Sequence, residues 1–210
     1  MKSLPKHLAA TVLAFGAISG ASAAVVFNNG APDQNWGVNM SGNKVADDFS
    51  LAALTNITKI SFWSLQSVAG DYSGTVGWAI HSGTPGGTTL QSGLATVGET
   101  ATGMTGGPGY AEYLIDIGVN FNLAAGNYWL ELFNSPLNAG NPSEMLWETT
   151  ATTSADSQYL DPTFGWTDTT YDLAFRLEGV PVVINRTPEP ASLFLVAAAL
   201  AGFGISRRKA

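Results

Sequence analysis

The sequence predicts an all-β protein: a single β-sandwich, jelly-roll-like, set between an N-terminal signal helix and a short C-terminal transmembrane helix. Three observations predict it. Between the ends, apolar and polar residues alternate over short runs, the period of half-buried strands. Turn-forming residues separate these runs, and the chain of 210 residues holds 24 glycines, which suit tight turns. Only the two ends carry apolar stretches flanked by positive charge.

Taken in order, the chain starts MKSLPKH, then LAATVLAFGAISG, then ASA. Lys2 and Lys6 make a positive start, an apolar segment follows, and Ala21 and Ala23 supply the small side chains that signal peptidase requires. This predicts a signal peptide over residues 1–23, cut after Ala23. The alternative reading is a buried N-terminal helix. A single domain is expected over residues 24–187, a common domain size.

Within it, strand candidates begin at AVVFN near Ala24, VADDFSL from Val45, and ITKISFWSLQ from Ile57. GTVGWAIH from Gly74 and TTLQSGLATV from Thr88 follow. Three further runs alternate most clearly. AEYLIDI sets Ala111, Tyr113, Ile115 and Ile117 against Glu112, Leu114 and Asp116. GNYWLELF sets Tyr128, Leu130 and Leu132 against Trp129, Glu131 and Phe133, and DLAFRLE sets Leu173, Phe175 and Leu177 against Asp172, Arg176 and Glu178. With MLWET from Met145 these make about nine strands, the pattern of a sandwich. SGTPGG from Ser82, GMTGGPG from Gly103 and ETTATTSADS from Glu148 read as loops.

Charge and composition exclude several functions. Between Ala24 and Thr187 only Lys44, Lys59, Arg176 and Arg186 face fifteen acids, a balance of -11. Such a surface repels phosphate backbones, which argues against nucleic acid as a partner. No cysteine is present, which removes disulfides and thiolate metal sites. His81 is the sole histidine of the expected domain. It has no G-x-S-x-G segment nearby and too few companions for a zinc site.

Three candidate constellations remain. Glu112, Asp116, Glu131 and Glu148 lie in or beside strands near aromatics, and glycoside hydrolysis needs only two carboxyl groups. Acids on the outer face of a sheet are usually just solvated, so the leading expectation is a protein without catalysis. Asp47 and Asp48 form an acidic doublet at a strand start, below Asp33, Asn35, Asn39 and Asn43. Oxygen ligands of this kind suit calcium, although no EF-hand or nonapeptide pattern accompanies them; no other cofactor is expected. Of six tryptophans, Trp63, Trp78 and Trp129 lie in strand-like sequence and are expected in the core. Trp36 (QNWG) and Trp166 (FGWTD) lie in loop-like sequence and are the candidate glycan-binding aromatics. Either could instead plug an end of the sandwich. Triplets at Asn39, Asn56 and Asn185 fit the glycosylation rule but are common by chance.

The chain ends TPEP, ASLFLVAAALAGFGI, SRRKA. The apolar run from Ala191 to Ile205 would span about 22 Å as a helix, a short crossing of a hydrocarbon core about 30 Å thick. Pro188 and Pro190 give the helix a sharp start. Arg207, Arg208 and Lys209 would hold the C-terminus in the cytoplasm, leaving the domain outside. Pro188-Glu189-Pro190, the apolar segment and the basic cluster, in that order and abutting, resemble the PEP-CTERM sorting signal over residues 188–210. The resemblance implies recognition by exosortase, an integral-membrane, transpeptidase-like enzyme. It also implies an inner-membrane-anchored precursor, then delivery to the cell surface or extracellular matrix of a Gram-negative bacterium. Such proteins are often associated with extracellular polysaccharide, which makes that polymer the expected ligand. VADDFSL, the Phe62-Trp63 strand, LAAGNYWLEL and DLAFRLEG resemble β-sandwich domains of secreted bacterial proteins, a likeness that brings no active-site residues with it.

Processing at both ends is the expected outcome. Intact-mass measurement on protein from its native host should show loss of residues up to about Ala23 and of the apolar tail. A mature species that still carries Leu193 to Ile205 would reject exosortase processing.

Overall fold

A computed structural model describes residues 22–137, 144–151 and 156–183. Ala21, Pro188, Glu189, Pro190, Arg207, Arg208 and Lys209, and with them both expected terminal helices, lie outside the described residues. Ala23 is described. It is exposed and directly precedes the first strand.

Thirteen strands occur among the described residues, and no helix. In chain order they are β1 (Ala24–Asn28), β2 (Pro32–Asn39), β3 (Val45–Leu51), β4 (Thr55–Gln66), β5 (Thr75–Ser82), β6 (Thr88–Thr96) and β7 (Glu99–Gly106). Then come β8 (Tyr110–Leu123), β9 (Gly126–Asn134), β10 (Met145–Thr150), β11 (Gln158–Asp161), β12 (Gly165–Asp168) and β13 (Phe175–Pro181). Every pairing is antiparallel.

Two sheets form. The six-stranded sheet runs β12-β11-β3-β9-β5-β6. The seven-stranded sheet is organised by β4, whose residues from Thr55 to Gln66 pair with β8 along one edge. Its other edge is shared, by β13 beside Thr55 to Phe62 and by β10 beside Ser64 to Gln66. Beyond these lie β1 on β13 and β2 on β10, while β7 closes the far side on β8.

The inner faces follow from period two. Val45, Phe49, Leu51, Ile80, Leu130 and Leu132 from the six-stranded sheet meet Ile57, Ile60, Phe62, Ile115, Ile117, Phe175 and Leu177 from the seven-stranded one. Each side chain of this size contributes about 2 kcal/mol by leaving water. Trp147 sits fully buried at the branch between β10 and β13. Its ring meets Phe62 and Phe175 edge-on, and its Nε1 donates to the Ala174 carbonyl at 3.1 Å.

Some sequence-based expectations are corrected. Strands β2, β7, β11 and β12 were not expected. PDQNWGVN and ETATGMTG carry no apolar alternation, and QYLD and GWTD are only four residues long, so backbone pairing alone defines them. GMTGGPG is the end of β7 and its turn rather than a loop throughout. Glu148, Thr149 and Thr150, read as the start of an exposed loop, belong to β10 and are buried. Trp147 is the core tryptophan, whereas Trp63, Trp78 and Trp129 are only half-buried. Trp78 stacks on Phe121 between the sheets, and Trp63 lies outside, under Arg176.

An acid sits among the inner faces. Asp47 alternates inward with Val45, Phe49 and Leu51 and is fully buried. Its Oδ2 accepts from Asn29 Nδ2 at 2.9 Å and from the Leu173 amide at 2.7 Å, and its Oδ1 accepts from the Asp48 amide at 2.8 Å. Asn29 follows β1 and Leu173 precedes β13, so this carboxyl ties the six-stranded sheet to the seven-stranded one. Asp47→Ala should cost about 2 kcal/mol by stranding the Leu173 amide. Asp47→Asn, which keeps an acceptor, should cost less. Urea titration of both variants checks this; an unchanged midpoint for Asp47→Ala would show that the tie contributes nothing.

Candidate functional site

Strand β2 places Trp36 on the surface, 49% exposed. It faces the end of the six-stranded sheet across a cleft of about 420 Å³. The cleft is lined by Trp36, Val38, Asn39 and Asn43 on one side and by Tyr159, Asp168, Thr169 and Tyr171 on the other. Tyr171 is 47% exposed. Three aromatic side chains thus share one opening with amide, hydroxyl and carboxylate groups. The volume lies in the ordinary range for small-ligand sites. Trp36 therefore stands on a strand, not in the loop its sequence suggested.

Beneath this edge, β2 is fastened over buried acids. The Gln34 amide donates to Glu148 Oε1 at 3.0 Å, and Gln34 Nε2 donates to Glu112 Oε2 at 3.2 Å. The Gln34 carbonyl accepts from the Gly107 amide at 2.9 Å. These bonds hold Gln34 at a φ of 56°, a strained value for a residue with a side chain. Glu112 is 3% exposed and Glu148 is fully buried. Burial, then the charge of Glu112, with a smaller push from Asp33, raises the Glu148 carboxyl to about 8. Both were expected to be solvated outer-face acids. They do face outward from β8 and β10, but Gln34 and the β7–β8 turn cover them. Neither lines the Trp36 cleft.

The other candidates are scattered. Asp47 and Asp48 alternate to opposite faces of β3, so the doublet does not converge. Burial raises the Asp47 carboxyl well above its usual range and, more modestly, that of Asp48. No group of three or more histidine, cysteine or acidic side chains able to hold a metal occurs among the described residues. Asp116 accepts from Ser61 Oγ at 2.6 Å and lies 3.6 Å from Lys59. Trp166 stands on β12, half-buried, with its indole against Gly86 in the β5–β6 turn, where a Cβ would come within 2.4 Å of Nε1. It lines no part of the Trp36 cleft. His81 and Glu131 are buried together on the outer face of the six-stranded sheet, an association that sequence spacing did not reveal.

Comparison with known proteins adds one finding about the tail. Residues 186–209 match the family described as PEP-CTERM protein-sorting motif. The motif marks an exported protein, a membrane-anchored precursor of Gram-negative type that is sorted through exosortase. No curated protein matches the chain.

The covered acids give the fold a pH dependence. The folded-state value of Glu148 lies above its unfolded value, so its neutral form is favoured by folding. Stability is then fully present below about pH 4.5 and falls as pH rises through about 8. Asp47 acts in the same direction. Glu148→Gln should flatten much of this fall in urea midpoints measured from pH 5 to 9. A wild-type midpoint that is constant or rises over this interval would contradict the assignment.

Proposed function

We propose that the protein is a non-catalytic component of the cell surface or extracellular matrix that binds extracellular polysaccharide through the Trp36 cleft. The observation that carries this reading is the grouping of exposed Trp36 and Tyr171 with Tyr159, beside Asn39, Asn43 and Asp168, in one opening. Aromatic faces accept the C–H faces of sugar rings, and amides and carboxylates bond their hydroxyls. Each stacking contact contributes about 1 kcal/mol, so affinity for a single chain is modest and grows with multivalency.

The sorting motif supports the setting. A signal helix over residues 1–23, removed by signal peptidase, and a membrane helix over 191–205 would hold the precursor in the inner membrane until exosortase acts. The strand orders support a jelly-roll reading of the domain. Apart from the β5–β6 hairpin, the sets β1-β13-β4-β8 and β3-β9-β5-β6 place their successive strands alternately in the two sheets, as two Greek keys do.

The rival reading, a polysaccharide-acting hydrolase, draws on the raised carboxyl of Glu148 beside Glu112. Their cover by Gln34 favours binding over hydrolysis. The test is titration of the host's own polysaccharide against wild type and a Trp36→Ala, Tyr171→Ala double variant, with and without calcium. Wild type should bind, and the variant should bind about tenfold or more weakly. Equal binding by both would remove the site. Release of reducing sugar that is lost in Glu148→Gln would favour the hydrolase.

A further inference from the structure

A second recess lies on the outer face of the six-stranded sheet, and small residues create it. On that face Glu131 pairs with Ala46 on one side and Ala79 on the other, and Phe133 pairs with Gly77. The Phe133 ring lies over Gly77, where any Cβ would meet it at 2.0 Å. The resulting cleft measures about 380 Å³ and is walled by Ser92 and Leu94 of β6.

Its floor is a hydrogen-bonded chain of polar groups. Lys44 Nζ donates to Glu131 Oε1 at 2.8 Å and stands 5.2 Å above the centre of the Phe133 ring. His81 Nε2 lies 3.2 Å from Glu131 Oε2, and Thr89 Oγ1 lies 3.2 Å from His81 Nδ1. The side chains of Glu131 and His81 are only 3% and 6% exposed. A β-bulge sets this up. Ile80 pairs with Gln91 but His81 with Thr89, so Leu90 is the extra residue and Thr89 stands directly beside the imidazole. Bulges re-aim side chains in this way beside functional sites.

Burying the Glu131 carboxyl and an imidazole on the solvent side of a sheet, with Lys44 left partly exposed, costs desolvation that apolar residues would avoid. Apolar packing therefore does not account for the arrangement, whereas recognition of a polar ligand does. We infer that this recess binds a neutral, polyhydroxylated ligand, a sugar ring or short glycan segment, independently of the Trp36 cleft. The charges of Lys44 and Glu131 cancel, which selects neither an anion nor a cation. His81 Nδ1 and Thr89 Oγ1 share one hydrogen bond, in which either atom can be the donor. In both cases Thr89 Oγ1 remains an acceptor for a ligand hydroxyl, and Lys44 keeps N–H groups to donate. The exposed side chain of Leu94 and the Phe133 ring offer an apolar platform to a C–H face.

The test is calorimetric titration of the full-length chain with neutral hexasaccharides built on glucose, mannose and xylose, and with an oligogalacturonate as the acidic counterpart. At least one neutral hexasaccharide should bind. A Thr89→Val, Leu94→Ser double variant should weaken that binding about tenfold when compared in a Trp36→Ala background, where the other cleft makes no contribution. Both substituted residues are exposed on an edge strand, and Ser92→Glu, which places a charge at the rim, serves as a second variant if the first misfolds. Absence of binding by every neutral hexasaccharide, binding of the galacturonate alone, or full binding by both β6 variants would overturn the inference. Loss of binding only in Trp36→Ala would also overturn it and assign the glycan to the other cleft.

Discussion

The Asp47 carboxyl, held between the sheets by three N–H donors, fixes how the two layers meet. An acid in an apolar interior is costly unless its oxygens are fully engaged. Here the donors are the Asn29 side chain and the backbone amides of Leu173 and Asp48, and these groups belong to both layers. The bonds form only when β1 and β13 stand opposite β3 in one register. A slip of either sheet would leave a buried carboxyl and a buried amide unpaired. Apolar packing alone tolerates many such slips. The neighbouring Trp147, bonded to the Ala174 carbonyl, fills the gap where β10 and β13 divide the edge of β4, and so depends on the same register.

Polar groups on the outer faces do a different task. Each sheet buries acid on its solvent side, Glu112 and Glu148 on one and Glu131 on the other, but the two sheets cover it differently. On the seven-stranded sheet, Gln34 of β2 roofs Glu112 and Glu148, and the strain of its positive φ is balanced by bonds to both acids. This fastens the strand that presents Trp36. On the six-stranded sheet no strand among the described residues covers Glu131. Lys44 pairs with its charge and His81 bonds it instead, and the flanking alanines leave the recess open. One sheet thus uses a buried acid to position a surface, and the other uses one to make a surface.

Several of these features were legible in the sequence, and others were not. The strands with strict alternation, such as AEYLIDI and GNYWLELF, fold as read, because burying one face is enough to specify them; DLAFRLE does so only from Phe175, and its Asp172, expected to face outward, is buried. The same alternation in VADDFSL turns Asp47 inward, although the residue type suggested a solvated doublet. Strands β2, β7, β11 and β12 left no signal, because they lie at edges or in short hairpins where backbone bonds replace apolar burial. Trp36 was singled out for its turn-like setting and does prove exposed, on a strand. Tyr159 and Tyr171, its partners in the cleft, lie more than a hundred residues along the chain and could not be linked to it by spacing.

The sequence by itself determined the all-β class and the sorting motif, since each is written in consecutive residues: period two in one case, an ordered tripartite tail in the other. Signal and sorting segments are read by membrane enzymes as linear chains, so no tertiary contact is needed to recognise them. Only the tertiary structure decided which acids are buried, which tryptophan is core and which side chains share a cleft. Those properties arise from pairings between residues far apart in the chain, such as His81 with Glu131 or Gln34 with Glu148. Cross-strand register sets them, and it is fixed by the packing of both sheets together.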